Sequence, residues 1–161
     1  MRIFTGSYEN CKLGDLVSIS GDKGRSVGFE GNSYTKLAPK KEFWKIWHDN
    51  IGKISEEENN KYYMEEYYKQ VLSKLDANTV YGELNEFGKN IVLLCFEPNN
   101  EFCHRQLVAT WLERELRITV PEISIDKEAN VQVLGRNPMY VEQFNKVIDE
   151  LKPQIEEDFE I

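Results

Sequence analysis

The residues Ile91 to Phe96 (IVLLCF) form an uninterrupted apolar, β-prone run, with Lys89 and Asn90 before it and Glu97, Pro98, Asn99 and Asn100 after it. A strand with one wet face alternates apolar and polar side chains, so an unbroken run bounded by turn residues suits a strand buried on both faces. Such a strand is the expected centre of the sheet. Beyond it Leu107, Val108, Trp111, Leu112 and Leu116 recur with helical period, predicting a helix over 104–117 packed on that sheet.

The same reading extends along the chain. Strands are expected at 2–5 and 16–20, joined by turn chemistry through 8–14. Gly21, Gly24, Gly28 and Gly31 punctuate 21–39, which reads as a long loop of the functional or mobile kind. Pro39 marks a helix start, with Phe43, Trp44, Trp47 and Ile51 at helical spacing before Gly52. Ser55 and Glu58 resemble a capping box opening a helix that carries Tyr63, Tyr67, Val71 and Leu75 on one face, so the tyrosines at 62, 63, 67 and 68 read as packing rather than a base-stacking platform. A short helix near 78–87 ends at Gly88. A strand at 130–134 precedes Asn137 as N-cap and Pro138 as first helical residue, and the last helix buries Val141, Phe144, Ile148 and Leu151. Residues 1–151 are the expected folded body and 152–161 an acidic C-terminal tail. Strands alternating with helices, without repeats, predict one compact α/β domain with an open, mostly parallel sheet and helices on both faces.

Composition narrows the function classes. A chain of 161 residues with 40% apolar content is long enough to bury a core without metal or disulfide staples. The cysteines at 11, 95 and 103 form no CxxC pair and are expected as free thiols. No apolar stretch is long enough for a membrane span and no signal-peptide pattern opens the chain, so a cytoplasmic address is expected. A net charge of −8 opposes the counterion release on which duplex DNA binding depends. A local cationic pocket for a small anionic ligand remains compatible with that charge.

The segment from Cys95 to Arg105 concentrates chemistry. In open α/β sheets ligands bind beyond the carboxyl ends of the strands, where a loop leads into the next helix. At that helix start unpaired N–H groups favour negative charge, drawing Cys103 toward thiolate, while Arg105 is placed to clamp an anion. Three readings stay open. Cys103 is a nucleophile, with His104 or Glu97 moving protons and Arg105 binding a phosphate or carboxylate; the cysteine, five residues, arginine spacing of thiolate phosphatases is absent. Alternatively Cys95, Cys103 and His104, with Glu97, ligate a metal, against which stand the lack of a short-knuckle spacing and the divergence of adjacent side chains on a helix; no metal is expected on that count. In the third reading these are packing and capping residues. Thr5, Ser7, Tyr8, Ser20, Arg25 and Arg136 follow other strands and ring the same sheet edge if those strands run parallel. His48 reads as surface, and Cys11 as a loop residue without a partner.

Leu93, Leu94, Cys95 and Glu97 at a strand end, then Cys103, His104 and Arg105 opening a helix, resemble the C-terminal signature of the domain of unknown function 488 family. Ile3 to Tyr8 are similar to its opening strand and turn, Leu16 to Ser20 to its second strand, and Tyr34 to Pro39 to the segment before its first helix. The resemblance covers roughly 1–125. Many relatives carry an acidic residue and arginine in the second strand where this chain has Ser18 and Ser20, which marks a divergent branch, with Arg25 as a substitute cation. The resemblance implies a Rossmann-like fold and a shared polar site, and names no substrate or cofactor. The function expected is a cytosolic enzyme acting on a small anionic ligand such as a nucleotide or modified nucleoside, with Cys103, Glu97 and His104 as chemical groups and Arg105 as anion anchor. The alternative is a non-catalytic module that holds such a ligand, or that recognises a partner protein through the tyrosine-rich helix and acidic tail. Neither reading sets an oligomeric state.

Overall fold

The computed structural model describes residues 1–159. Its elements are β1 (Arg2–Ser7), β2 (Asp15–Ser18), β3 (Asn32–Ser33), α1 (Lys41–Asp49), α2 (Glu56–Gln70), α3 (Ala77–Leu84), β4 (Asn90–Cys95), α4 (His104–Leu116), β5 (Glu122–Ile125), β6 (Val131–Leu134) and α5 (Pro138–Phe159). They build one six-stranded sheet in the order β3-β2-β4-β1-β5-β6. The first five strands run parallel, and β6 returns antiparallel to β5. This is the expected α/β fold, consistent with a Rossmann-like arrangement.

The apolar run places β4 at the centre, between β1 and β2. Its side chains alternate between two buried faces: Ile91 and Leu93 join the main core, Val92 and Leu94 a smaller one. All five α-helices feed the main core, through residues such as Phe43, Tyr67, Val80, Leu112 and Phe144. The smaller core gathers Cys11, Val92, Leu94 and Ile123 with Phe4, Tyr8, Leu16, Phe29 and Ile125, none of them helical. The second helical layer expected from the sequence is thus a layer of strand ends and loops. Crossover segments between parallel strands supply the helices, and here every such helix packs on one side.

Local chemistry sets the boundaries. Ser55 Oγ accepts from Glu58 N at 3.2 Å and starts α2, and Asn137 Oδ1 accepts from Met139 N at 2.9 Å and starts α5. Tyr63, Tyr67 and Tyr68 are buried, as the helical spacing predicts. The segment 21–39 is more ordered than a structureless loop: it holds two short 3₁₀ turns and the strand β3, paired with β2. The last helix runs through Pro153 to Phe159, so the boundary expected at residue 151 falls inside it, with Ile155 packed against the core. Residues 160 and 161 of the expected acidic tail lie outside the described residues. Among the described residues no helix is long and apolar enough to cross a membrane.

Candidate functional site

At the carboxyl edge of β2 and β4 lies a cavity of about 640 Å³, lined by Cys95, Glu97, Cys103 and His104 together with Lys40, Lys41 and Trp44. The elements make it inevitable. β4 ends at Cys95, residues 96–102 arch outward, and the chain returns at Cys103 to start α4. Beside it the 21–39 segment leaves β2 and leads to the N-terminus of α1, adding Ser20, Asp22, Ser26 and Thr35.

Cys103 is the N-cap of α4, with extended backbone at φ −153°, while His104 is the first helical residue. The turn in chain direction between them brings both side chains to one point, which overturns the expectation that a Cys-His pair on a helix diverges. Gln106 holds the corner, accepting from Cys103 N at 3.4 Å and donating to Asn99 O at 3.1 Å. His104 Nε2 meets Ile19 O at 2.8 Å. A carbonyl only accepts, so Nε2 carries the proton and, in the neutral ring, Nδ1 presents a lone pair. That lone pair faces sulfur: Cys95 Sγ lies 3.4 Å and Cys103 Sγ 4.0 Å from Nδ1. Glu97 Oε2 is 3.6 Å from Cys95 Sγ, and Ser20 Oγ donates to the same sulfur at 3.9 Å. Burial, reinforced by the neighbouring Cys95, pushes the Cys103 thiol well up from its ordinary range. Burial thus opposes the thiolate that the helix N-terminus alone predicts for Cys103.

Other expected residues part company with this cluster. Arg105 is fully buried and does not line the cavity. Its Nε and Nη2 donate to Glu122, the closest contact being 2.8 Å, and Glu122 Oε1 also accepts from Thr5 Oγ1 at 2.6 Å. The proposed anion anchor and Thr5 thus belong to a closed ion-pair network between α4, β5 and β1. Ser7 Oγ accepts from Asn10 N at 3.1 Å and supports the turn after β1. The Tyr8 hydroxyl bonds Ser18 Oγ at 2.5 Å and Ser20 Oγ at 2.9 Å, behind the cavity rather than in it. Gly24, at φ +77°, lets the glycine-rich segment lie on that ring, because a Cβ there would sit 2.8 Å from Tyr8. Arg25 is exposed and donates to Phe29 O at 2.5 Å. Arg136 pairs with Glu113 and contacts Thr110 at 3.3 Å on α4, since the antiparallel β6 delivers it to the other end of the sheet. Cys11 is buried rather than partnerless, donating to Ile123 O at 3.3 Å beside a bridge to Ile125. Of the expected site residues, Ser20, Cys95, Glu97, Cys103 and His104 line the cavity.

Sequence reading missed its remaining walls. Lys40 and Lys41 stand at the N-terminus of α1, and Trp44, Trp47, Tyr63, Phe96 and Phe102 supply aromatic surface. Phe102 packs edge-on against Tyr63 at 5.2 Å and Tyr140 at 5.4 Å, fixing the wall next to Cys103. The signal available was the Pro-Lys-Lys start of α1, which reads as a helix beginning and not as part of a site sixty residues away.

A family model described as DUF488-N3a, the active DUF488-N3 subclade, matches residues 20–116. Every residue lining the cavity, from Ser20 to His104, lies within that span, whereas Thr5 and Glu122 lie outside it. No curated protein and no solved structure matches the chain.

Proposed function

The chain belongs to the DUF488 family, matching its active N3 subclade over residues 20–116, and from that premise we propose a cytosolic enzyme acting on a small anionic ligand of the nucleotide or modified-nucleoside class. The observation that carries this reading is the lining of the cavity, which combines Lys40 and Lys41, the aromatic side chains of Trp44, Trp47, Tyr63, Phe96 and Phe102, and the Cys-His-Glu cluster. Its volume of about 640 Å³ suits a ligand of that size. Lys40 and Lys41, at the start of α1, supply the cations for the anion, taking the part first expected of Arg105. The indoles of Trp44 and Trp47 give a planar group a surface to stack on.

At the reacting end, Cys95 is better equipped than Cys103. Its sulfur meets the Nδ1 lone pair of His104, which accepts the thiol proton, and Glu97 stands ready to carry a proton to or from the ligand. Cys103, with its thiol pushed up, supports that sulfur from behind. Free thiols at 11, 95 and 103 suit a reducing compartment.

The test is a thermal-shift series with nucleoside monophosphates and with inorganic phosphate. A nucleotide at a hundredfold its dissociation constant adds about 2.7 kcal/mol of apparent stability. Replacing Lys40 and Lys41 together by alanine is expected to weaken that binding at least about tenfold, roughly 1.4 kcal/mol. An unchanged shift in the double variant, or none with any nucleotide, overturns the reading. A non-catalytic module holding the same ligand is the second reading, favoured by the way burial pushes the Cys103 thiol up. Rapid, ligand-protected alkylation of Cys95 near neutral pH sides with the enzyme, and slow alkylation with the module.

A further inference from the structure

We propose that Cys95 Sγ, Cys103 Sγ and His104 Nδ1 form a transition-metal site, best suited to zinc, with its fourth position turned to the cavity. These three donor atoms all lie within 4.8 Å of one another. Zinc bonds thiolate sulfur at about 2.3 Å and imidazole nitrogen at about 2.0 Å, so its tetrahedral donors sit roughly 3.5 to 3.8 Å apart. The separations from Nδ1, 3.4 and 4.0 Å, already match to within a few tenths of an ångström. The two sulfurs, within 4.8 Å of one another, would draw together as the metal binds.

Three further features fit a metal centre better than a packing cluster. The His104 ring is held by Ile19 O through Nε2, the outer contact that fixes a ligating imidazole and aims its other nitrogen at the metal. Ser20 Oγ donates to Cys95 Sγ, a contact that stabilises a metal-bound thiolate. The ligands come from the end of a strand and the cap of the next helix, which holds them on two rigid elements despite the absence of a knuckle spacing. Two thiolates and a neutral imidazole select zinc over magnesium or calcium, which take oxygen donors.

A set of three ligands with an open fourth position is the pattern of catalytic zinc rather than structural zinc. Glu97 lies 3.6 Å from Cys95 Sγ and lines the same cavity. With a metal held by Cys95, Cys103 and His104, a bound water would be acidified, and Glu97 would be the carboxylate at hand to take its proton. In this form water replaces the Cys95 sulfur as attacking group. That catalytic role rests on the ligand reading above; metal binding itself stands apart from it.

The experiment uses the full chain, reduced and stripped with chelator, then titrated with cobalt(II) and zinc(II). One equivalent of cobalt is expected, with a thiolate-to-metal charge-transfer band that zinc displaces and that Cys95→Ser, Cys103→Ser and His104→Ala each diminish. In the wild type, zinc is expected to slow alkylation of Cys95 and Cys103 without altering that of Cys11, a readout that survives if the variants fail to fold. Absence of the thiolate band, uptake unaffected by variants that fold, or zinc that leaves Cys95 alkylation unchanged overturns the site. Nucleotide shifts measured on the metal-free protein separate the outcomes: cobalt uptake failing with the shift intact removes the metal alone, and the reverse removes the ligand alone.

Discussion

His104 and Arg105 are consecutive residues in the first turn of α4, yet they meet opposite surroundings. The histidine turns toward β2 and the cavity, where Nδ1 faces two sulfurs and empties onto a hollow. The arginine, rotated by about 100° of helix, turns toward β1 and β5 and places its guanidinium on both oxygens of Glu122. One region keeps donor capacity in reserve beside the cavity; the other uses its charge to close the interior. A cation at a strand-to-helix junction is a ligand anchor only when the protein itself has not already satisfied it.

The largest test of that contrast is Glu122→Ala. The Arg105–Glu122 pair is buried on both sides, so removing the carboxylate strands a positive charge whose Nη1 already lacks a partner. A loss of about 3–5 kcal/mol is expected in chemical denaturation. The double substitution Arg105→Met with Glu122→Leu is expected to recover most of it, because the cost lies in the uncompensated charge. A loss below about 1 kcal/mol for Glu122→Ala would mean that the guanidinium reaches another partner, and the closed region would have to be redrawn.

This contrast also explains what the sequence made legible. β4 and α4 were readable because an unbroken apolar run and a 3.6-residue period are strong signals. The direction of Arg105 was not, since His104 to Leu112 are all buried and a helix wrapped on every side has no polar face to orient its charges. β5 was missed because it is four residues long and opens on Glu122, a carboxylate whose partner lies on another element. β6 was found, but its antiparallel direction, set by its pairing with β5, sent Arg136 to the far end of the sheet. Within the site, the Cys95–His104 junction was local in sequence and visible. Lys40, Lys41 and Trp44 reach it only through the fold.

Cys11, on the opposite face of the sheet, tests whether burial alone distinguishes the thiols. Burial first, then the charge of Glu122, push its thiol up to about 11. An unfolded thiol ionises near about 8.5, so above that pH the unfolded chain sheds a proton that the folded chain retains. Stability from this group is therefore complete below the ordinary thiol value and is lost as pH rises toward 11, by up to about 1.4 kcal/mol per pH unit. Unfolding midpoints of the metal-free protein between pH 7.5 and 10.5 are expected to fall less steeply for Cys11→Ser than for the wild type. Parallel profiles would remove Cys11 from the alkaline response.

The smallest expected effect addresses the seam between open and closed regions. Ser20 Oγ touches the Tyr8 hydroxyl at 2.9 Å and the Cys95 sulfur at 3.9 Å, linking the loop-covered side of the sheet to the cavity floor. Tyr8 keeps its 2.5 Å bond to Ser18 when Ser20 becomes alanine, so no polar group is left bare. Ser20→Ala is expected to cost about 0.5–1.5 kcal/mol, the net worth of an ordinary hydrogen bond. Its more telling consequence is local. Removing the donor to Cys95 is expected to change the alkylation rate of that thiol while amide exchange in β1 and β5, around Arg105 and Glu122, stays as in the wild type. If β5 exchange rises together with Cys95 reactivity, the two surroundings of the α4 start act as one network, and the division between them fails.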